Sequence, residues 1–153
     1  MKKLLMIALL LLGSQSFAQM ESTILGAWQG EMTYTDAEGT TVTCAGTNTL
    51  TMSEDKLLFD QVLGGDCEFE SHLEFDVQGE GVWQDGVQIG EMTANSLEVK
   101  NFKIDDGTYS VSLKVDSETP AQADFSDYTD YGDGFWDSLQ GQLKKCETPG
   151  PLL

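Results

Sequence analysis

Between Leu25 and Val115 apolar and polar side chains alternate with a period of two, and turn-forming residues break the alternation every eight to twelve positions. Successive side chains of an extended strand point to opposite faces, so the pattern predicts an antiparallel β-meander with one apolar face. In the first strand Trp28, Gly30, Met32 and Tyr34 share a face, and Gln29, Glu31, Thr33 and Thr35 take the other. The second strand sets Val42, Cys44, Asn48 and Leu50 against a row of threonines. The fourth, over 67–77, sets Cys67, Phe69, Ser71, Leu73 and Phe75 against Glu68, Glu70, His72, Glu74 and Asp76. Further strands are expected over 56–63, 79–84, 87–92, 94–104 and 108–115, with Asp85-Gly86 and Asp106-Gly107 as hairpin turns. Within 94–104 the apolar face switches from Leu97 and Val99 to Phe102 and Ile104, which one extra residue near 100–101 explains as a bulge.

After Val115 the pattern changes. Residues 117–122 read as a linker and 124–133 as an acidic, tyrosine-bearing loop. A helix is predicted over 134–145, with Asp133 as its cap and Lys144 and Lys145 at the end where the dipole favours cations. Phe135, Trp136, Leu139, Leu143 and Cys146 fall on one stripe at spacings of three and four. Eight short strands with one apolar face close most naturally on themselves, because closure removes both exposed edges. The expected fold is therefore all-β, an eight-stranded antiparallel up-and-down barrel over 25–146 with one C-terminal α-helix packed outside; a flat sandwich is the competing shape.

The first residues are of another kind. Lys2 and Lys3, an apolar run over 4–12 and Ser16-Phe17-Ala18 make the three parts of a secretory signal over 1–18, cut before Gln19. Residues 19–24 become a lead-in and 147–153 a flexible tail. The mature chain is then periplasmic or secreted, and its thiols meet an oxidising compartment. Cleavage leaves six of the eight lysines, no arginine, and all 26 carboxylates. Such a chain cannot displace the counterions of DNA or RNA and is repelled by anionic lipid. A membrane-embedded barrel is excluded as well. The outer row of the fourth strand is carboxylates and a histidine, and each charge at mid-bilayer costs about 2–4 kcal/mol for a basic residue and less for an acid.

Leu25-Gly26-Ala27-Trp28 at the start of a meander with a C-terminal helix resembles the lipocalin-like (calycin) barrels. The resemblance implies that Trp28 packs across the closed barrel end and that the helix lies along the wall. It also implies that the C-terminal segment is tied to the wall, by Cys146 to Cys67 or Cys44. The hairpin placement offers another pairing: Cys44 falls opposite the turn at Gly64, beside Cys67, and a Cys44–Cys67 bridge closes a loop of about 23 residues. Both pairings stay open.

Candidate chemistry is sparse. His72, flanked by Glu70 and Glu74, reads as part of a solvated face, since alternate side chains on a strand stand too far apart for a compact metal site. The single imidazole leaves hydrolytic catalysis little to build on. The acids around 124–137 do not fit an EF-hand, because Gly134 at loop position six would put Gln140 at the bidentate position. No metal or cofactor is expected. Inside the barrel Asn48, Ser71 and Gln61 are polar among Trp28, Met32, Tyr34, Leu50, Phe69, Phe75 and Tyr109, which suits either a filled core or a small-ligand cavity. The expected function is non-catalytic binding of a small apolar or amphipathic ligand by a monomer. The alternative is an acidic inhibitor or interaction module that meets a basic exported protein through Asp127, Tyr128, Asp130, Tyr131 and Asp133.

Overall fold

Each stretch of alternation between Leu25 and Val115 becomes a strand in the computed structural model, which describes residues 23–147. The expected signal at 1–18, the lead-in up to residue 22 and the tail from 148 lie outside the described residues. The strands are β1 (Gly26–Asp36), β2 (Thr41–Ser53), β3 (Lys56–Gly64), β4 (Phe69–Gln78), β5 (Gly81–Gln84), β6 (Val87–Met92), β7 (Ser96–Ile104) and β8 (Gly107–Val115). The bulge lies where the apolar face switches: the pairing of β7 with β8 shifts between Val99 and Phe102, and Asn101 takes a left-handed φ of 56°.

The remainder corrects the expectation. Two further strands, β9 (Gln122–Gly132) and β10 (Phe135–Lys145), replace the acidic loop and the helix, so the barrel has ten strands and no helix among the described residues. Asp133 and Gly134, with φ of 54° and 84°, form a two-residue hairpin turn of the Asp-Gly kind and cap nothing. Leu139 and Leu143 are four apart, a spacing common to the helical period and to two strand steps. Gly141 between them erases the alternation that would have told the periods apart. A Cβ there would stand 2.5 Å from the Glu31 carbonyl oxygen, so only glycine lets β10 lie this close to β1.

Every strand pairs antiparallel with its neighbours in sequence, and β1 pairs with β10 from Trp28 opposite Lys145 to Asp36 opposite Asp137. The ring is thereby closed and has no free edge. The core fills the end where β2 turns into β3 and β8 into β9. Ile24, Trp28, Leu50, Leu57, Phe75, Leu97, Leu113 and Leu143 are fully buried there. The Trp28 indole N–H donates to the Ile24 carbonyl at 2.8 Å, and the Lys145 ammonium lies 5.2 Å from its ring centroid. Ile24 in turn donates its backbone N–H to Ala94 at 3.2 Å, which ties the entering chain across this end as a floor.

Candidate ligand-binding cavity

The other end stays open. Here β1, β3, β4, β7, β8, β9 and β10 begin or finish, and their inward side chains enclose a cavity of about 570 Å3. Alternation decides which residues reach it. On β9, Ala123, Phe125, Asp127 and Thr129 point inward and are buried, and Tyr131 continues that row to the rim at 47% exposure. Beneath the cavity Phe59 stacks on Phe125 with ring centroids 6.3 Å apart, and Phe75 meets Phe102 edge-on at 4.9 Å, so aromatic bulk fills the barrel below.

The cavity is apolar on one side and polar on the other. Leu63, Phe69, Leu73, Ile104 and Leu139 supply the first; Gln61, Ser71, Tyr109, Asp127, Thr129 and Asp137 supply the second. Asp127 is the centre of the polar side. Its Oδ2 accepts hydrogen bonds from the Gln61 amide at 3.1 Å and from the Tyr109 hydroxyl at 3.1 Å. Burial pushes its carboxyl from the ordinary 3.8 up to about 6, against those two hydrogen bonds and a backbone bond from Leu139, and with help from the charge on Asp137. Tyr109 is held well above its usual range by burial and then by the Asp127 charge. At the rim the Tyr131 hydroxyl donates to Asp137 Oδ2 at 2.9 Å, and burial with that hydrogen bond raises Tyr131 to about 12.

Of the residues expected to line a cavity, Tyr34, Phe69, Ser71 and Tyr109 do so. Trp28, Met32, Asn48, Leu50 and Phe75 sit in the packed part below, fully or almost fully buried. Filled core and cavity, alternatives in the sequence, thus occupy different ends of one barrel. Asn48 is unusual there, since neither polar atom of its carboxamide has a hydrogen-bond partner within the protein.

The residues expected to form one partner-facing loop do not share a surface. Tyr128 and Asp130 lie on the outer wall of β9, with Tyr128 stacked on Trp136 at 5.7 Å between centroids, and Asp133 sits in the hairpin turn. Asp127 and Tyr131 face the cavity instead. The cause is the strand itself: with Phe125 inward, the period of two carries Asp127, Thr129 and Tyr131 inward after it. That row was the signal by which Asp127 could have been found. Thr129, Asp137 and Leu139 were missed for the same reason, hidden in an expected loop and helix.

The disulfide joins Cys44 to Cys67, with Cα atoms 5.7 Å apart, and Cys67 lies on the cavity wall. Cys146 is free and lies at the closed end, where its backbone N–H donates to Ala27. His72 pairs with Asp60 across the outer wall, which raises the imidazole above its usual range. Among the described residues no three His, Cys, Asp or Glu side chains converge as metal ligands.

These features define a closed, antiparallel up-and-down β-barrel, packed at one end and hollow at the other. No family model matches the chain, and no curated protein matches it. A solved structure of a protein of unknown function from the DUF3598 family of Nostoc punctiforme is similar in fold, with a TM-score of 0.58 at 10% identity. The match covers 82% of this chain and 49% of that one, so the chain spans about half the length of this relative. Two other barrels match at lower scores. EF1p2_mFAP2b bound to DFHBI has a TM-score of 0.43 at 14% identity, covering 86% of this chain and 100% of that one. A redesigned β-barrel has a TM-score of 0.46 at 18% identity, covering 86% and 99%.

Proposed function

We propose that this barrel is an exported, non-catalytic binding protein that holds one small amphipathic molecule at its open end. The observation that carries this reading is the cavity itself. About 570 Å3, walled by aliphatic and aromatic side chains with a few convergent polar groups, lies within the range of small-molecule sites. The outer wall supports a barrel that stays in water: Glu70, His72, Glu74 and Asp76 on β4 and Asp124 and Asp130 on β9 all face outward and are exposed. The Cys44–Cys67 disulfide agrees with an oxidising compartment, periplasmic or extracellular. The buried Trp28 floor supports the likeness to lipocalin-like barrels, although ten strands depart from the eight of lipocalins. The chain's single His sits on the outer wall, away from every group in the cavity, so acid–base catalysis has no imidazole to use there.

Uptake of a neutral, environment-sensitive dye such as Nile red tests the reading. We expect blue-shifted fluorescence that saturates at one dye per chain. The substitution Ser71→Trp, which fills the cavity from β4, abolishes it while the circular dichroism of the barrel is kept. Absent uptake, or uptake indifferent to Ser71→Trp, overturns the proposal.

A further inference from the structure

Charge is distributed unevenly along the barrel axis. Lys56 opens β3, Lys114 stands one residue from the end of β8, and Lys144 and Lys145 finish β10, so four of the six described lysines lie at the closed end. No basic side chain lines the cavity. Three carboxylates do: Asp66 at the rim, Asp137 below it, and Asp127 on the floor. The four ion pairs among the described residues, Lys56 with Glu74 and Asp76, His72 with Asp60, and Lys100 with Glu98, are all on the outer wall. Nothing inside therefore neutralises Asp127 or Asp137, and the charge on Asp137 adds to what burial costs Asp127. A buried carboxylate without a counter-charge is an unfavourable arrangement that an incoming cation relieves.

We infer that the cavity selects a cationic amphiphile, a primary amine whose ammonium sits between Asp127 and Asp137 while its apolar body lies against Phe69, Leu73 and Ile104. This rests on the cavity being a binding site at all, the reading given above. The chemistry fits in three respects. Asp127 accepts from Gln61, Tyr109 and the Leu139 backbone, and Asp137 Oδ2 from Tyr131, which fixes both carboxylates in orientation and still leaves a lone pair on each for an N–H donor. Tyr34, Tyr109 and Tyr131 add aromatic rings around the same space, and such rings attract cations through their faces. The carboxylates of the turns at this end, among them Asp36, Glu38, Asp105 and Asp106, draw a cation toward the mouth. A fatty carboxylate of the same length meets the opposite field at every stage, and adds a further negative charge beside two that lack a counter-charge.

The test displaces Nile red from the purified mature chain with decylamine, decanol and decanoate, which share a tail and differ in charge. Decylamine is expected to compete at least about tenfold more tightly than decanol, and decanoate more weakly than either. Surface acids attract an amine anywhere, so the decisive comparison is with the Asp127→Asn, Asp137→Asn double variant, in which decylamine and decanol should become equal. If the double variant does not fold, Asp137→Asn alone, at a partly exposed position, is expected to remove part of the preference. A decanoate affinity equal to that of decylamine, or an amine preference that survives the substitutions, overturns the inference and leaves the cavity reading standing. Failure of all three probes, or of the dye itself, overturns both.

Discussion

At the closed end Ile24, Trp28, Leu50, Leu97, Leu113 and Leu143 are fully buried, with the indole N–H satisfied by a backbone carbonyl. At the open end Phe69 and Tyr131 remain about half exposed, and Asp127 is buried with its ordinary acidity lost. The same ten strands supply both ends, so the contrast comes from side chains alone. The floor buries its apolar side chains completely. The mouth gives up contact to keep a polar, charged surface facing a void. Stability and binding are thereby assigned to opposite ends of one sheet, and substitutions should separate them.

The largest effect is expected at the floor. Trp28→Ala should cost about 3–5 kcal/mol by removing a fully buried side chain that cannot be replaced by collapse, read as a lower urea midpoint at unchanged slope. Loss of the Cys44–Cys67 bridge, whose cysteines are 23 residues apart, should cost about 3 kcal/mol in the same measurement. Dye uptake should persist where the protein remains folded, because Cys67 is only one of the residues on the cavity wall and the apolar and polar groups that would hold a ligand come from the strands around it.

Asp127→Asn should act with a defined pH dependence. Folding raises this carboxyl from 3.8 to about 6, so in that window the unfolded chain gives up its proton first and the folded state loses stability as pH rises. The loss amounts to about 2 kcal/mol between pH 4 and pH 7 and is absent from the asparagine variant. Urea unfolding of both proteins across that range should show the variant gaining on the parent as pH increases; parallel profiles would mean that Asp127 stays solvated. The smallest change in stability, within about 0.5 kcal/mol, is expected for Phe69→Ser at the half-exposed rim, together with a clear loss of dye affinity. If Phe69→Ser destabilised the fold as Trp28→Ala does, the division between the two ends would not hold.

The legibility of the sequence follows the same division. From β1 to β8 one row is apolar and the other polar, and even the bulge at Asn101 could be read from Leu97, Val99, Phe102 and Ile104. On β9 the rows lose that contrast. The inner one, Phe125, Asp127, Thr129 and Tyr131, contains a carboxylate, and the outer one contains Tyr128. Asp127 and Thr129, which help to make the cavity polar, are among the residues that made this wall read as a loop, a local conflict of the sort found at functional sites. On β10 Leu139 and Leu143 satisfied two periods equally, and Asp133 read as a cap because a helix was already expected. The disulfide was more accessible: Ala45 pairs with Gly64, which brings Cys44 beside the turn that leads to Cys67. Cys146 leaves at the far end of the barrel, so the alternative pairing fails on distance.

Ile24 reaches Ala94 and Cys146 reaches Ala27, so the described chain both enters and leaves through the floor. A tag, a solid support or a fused domain joined at the ends of the described chain, at residue 23 or 147, is therefore attached on the side away from the opening. The barrel can be tethered at its base like a cup on a stem, with the mouth turned outward and its access to solutes undiminished.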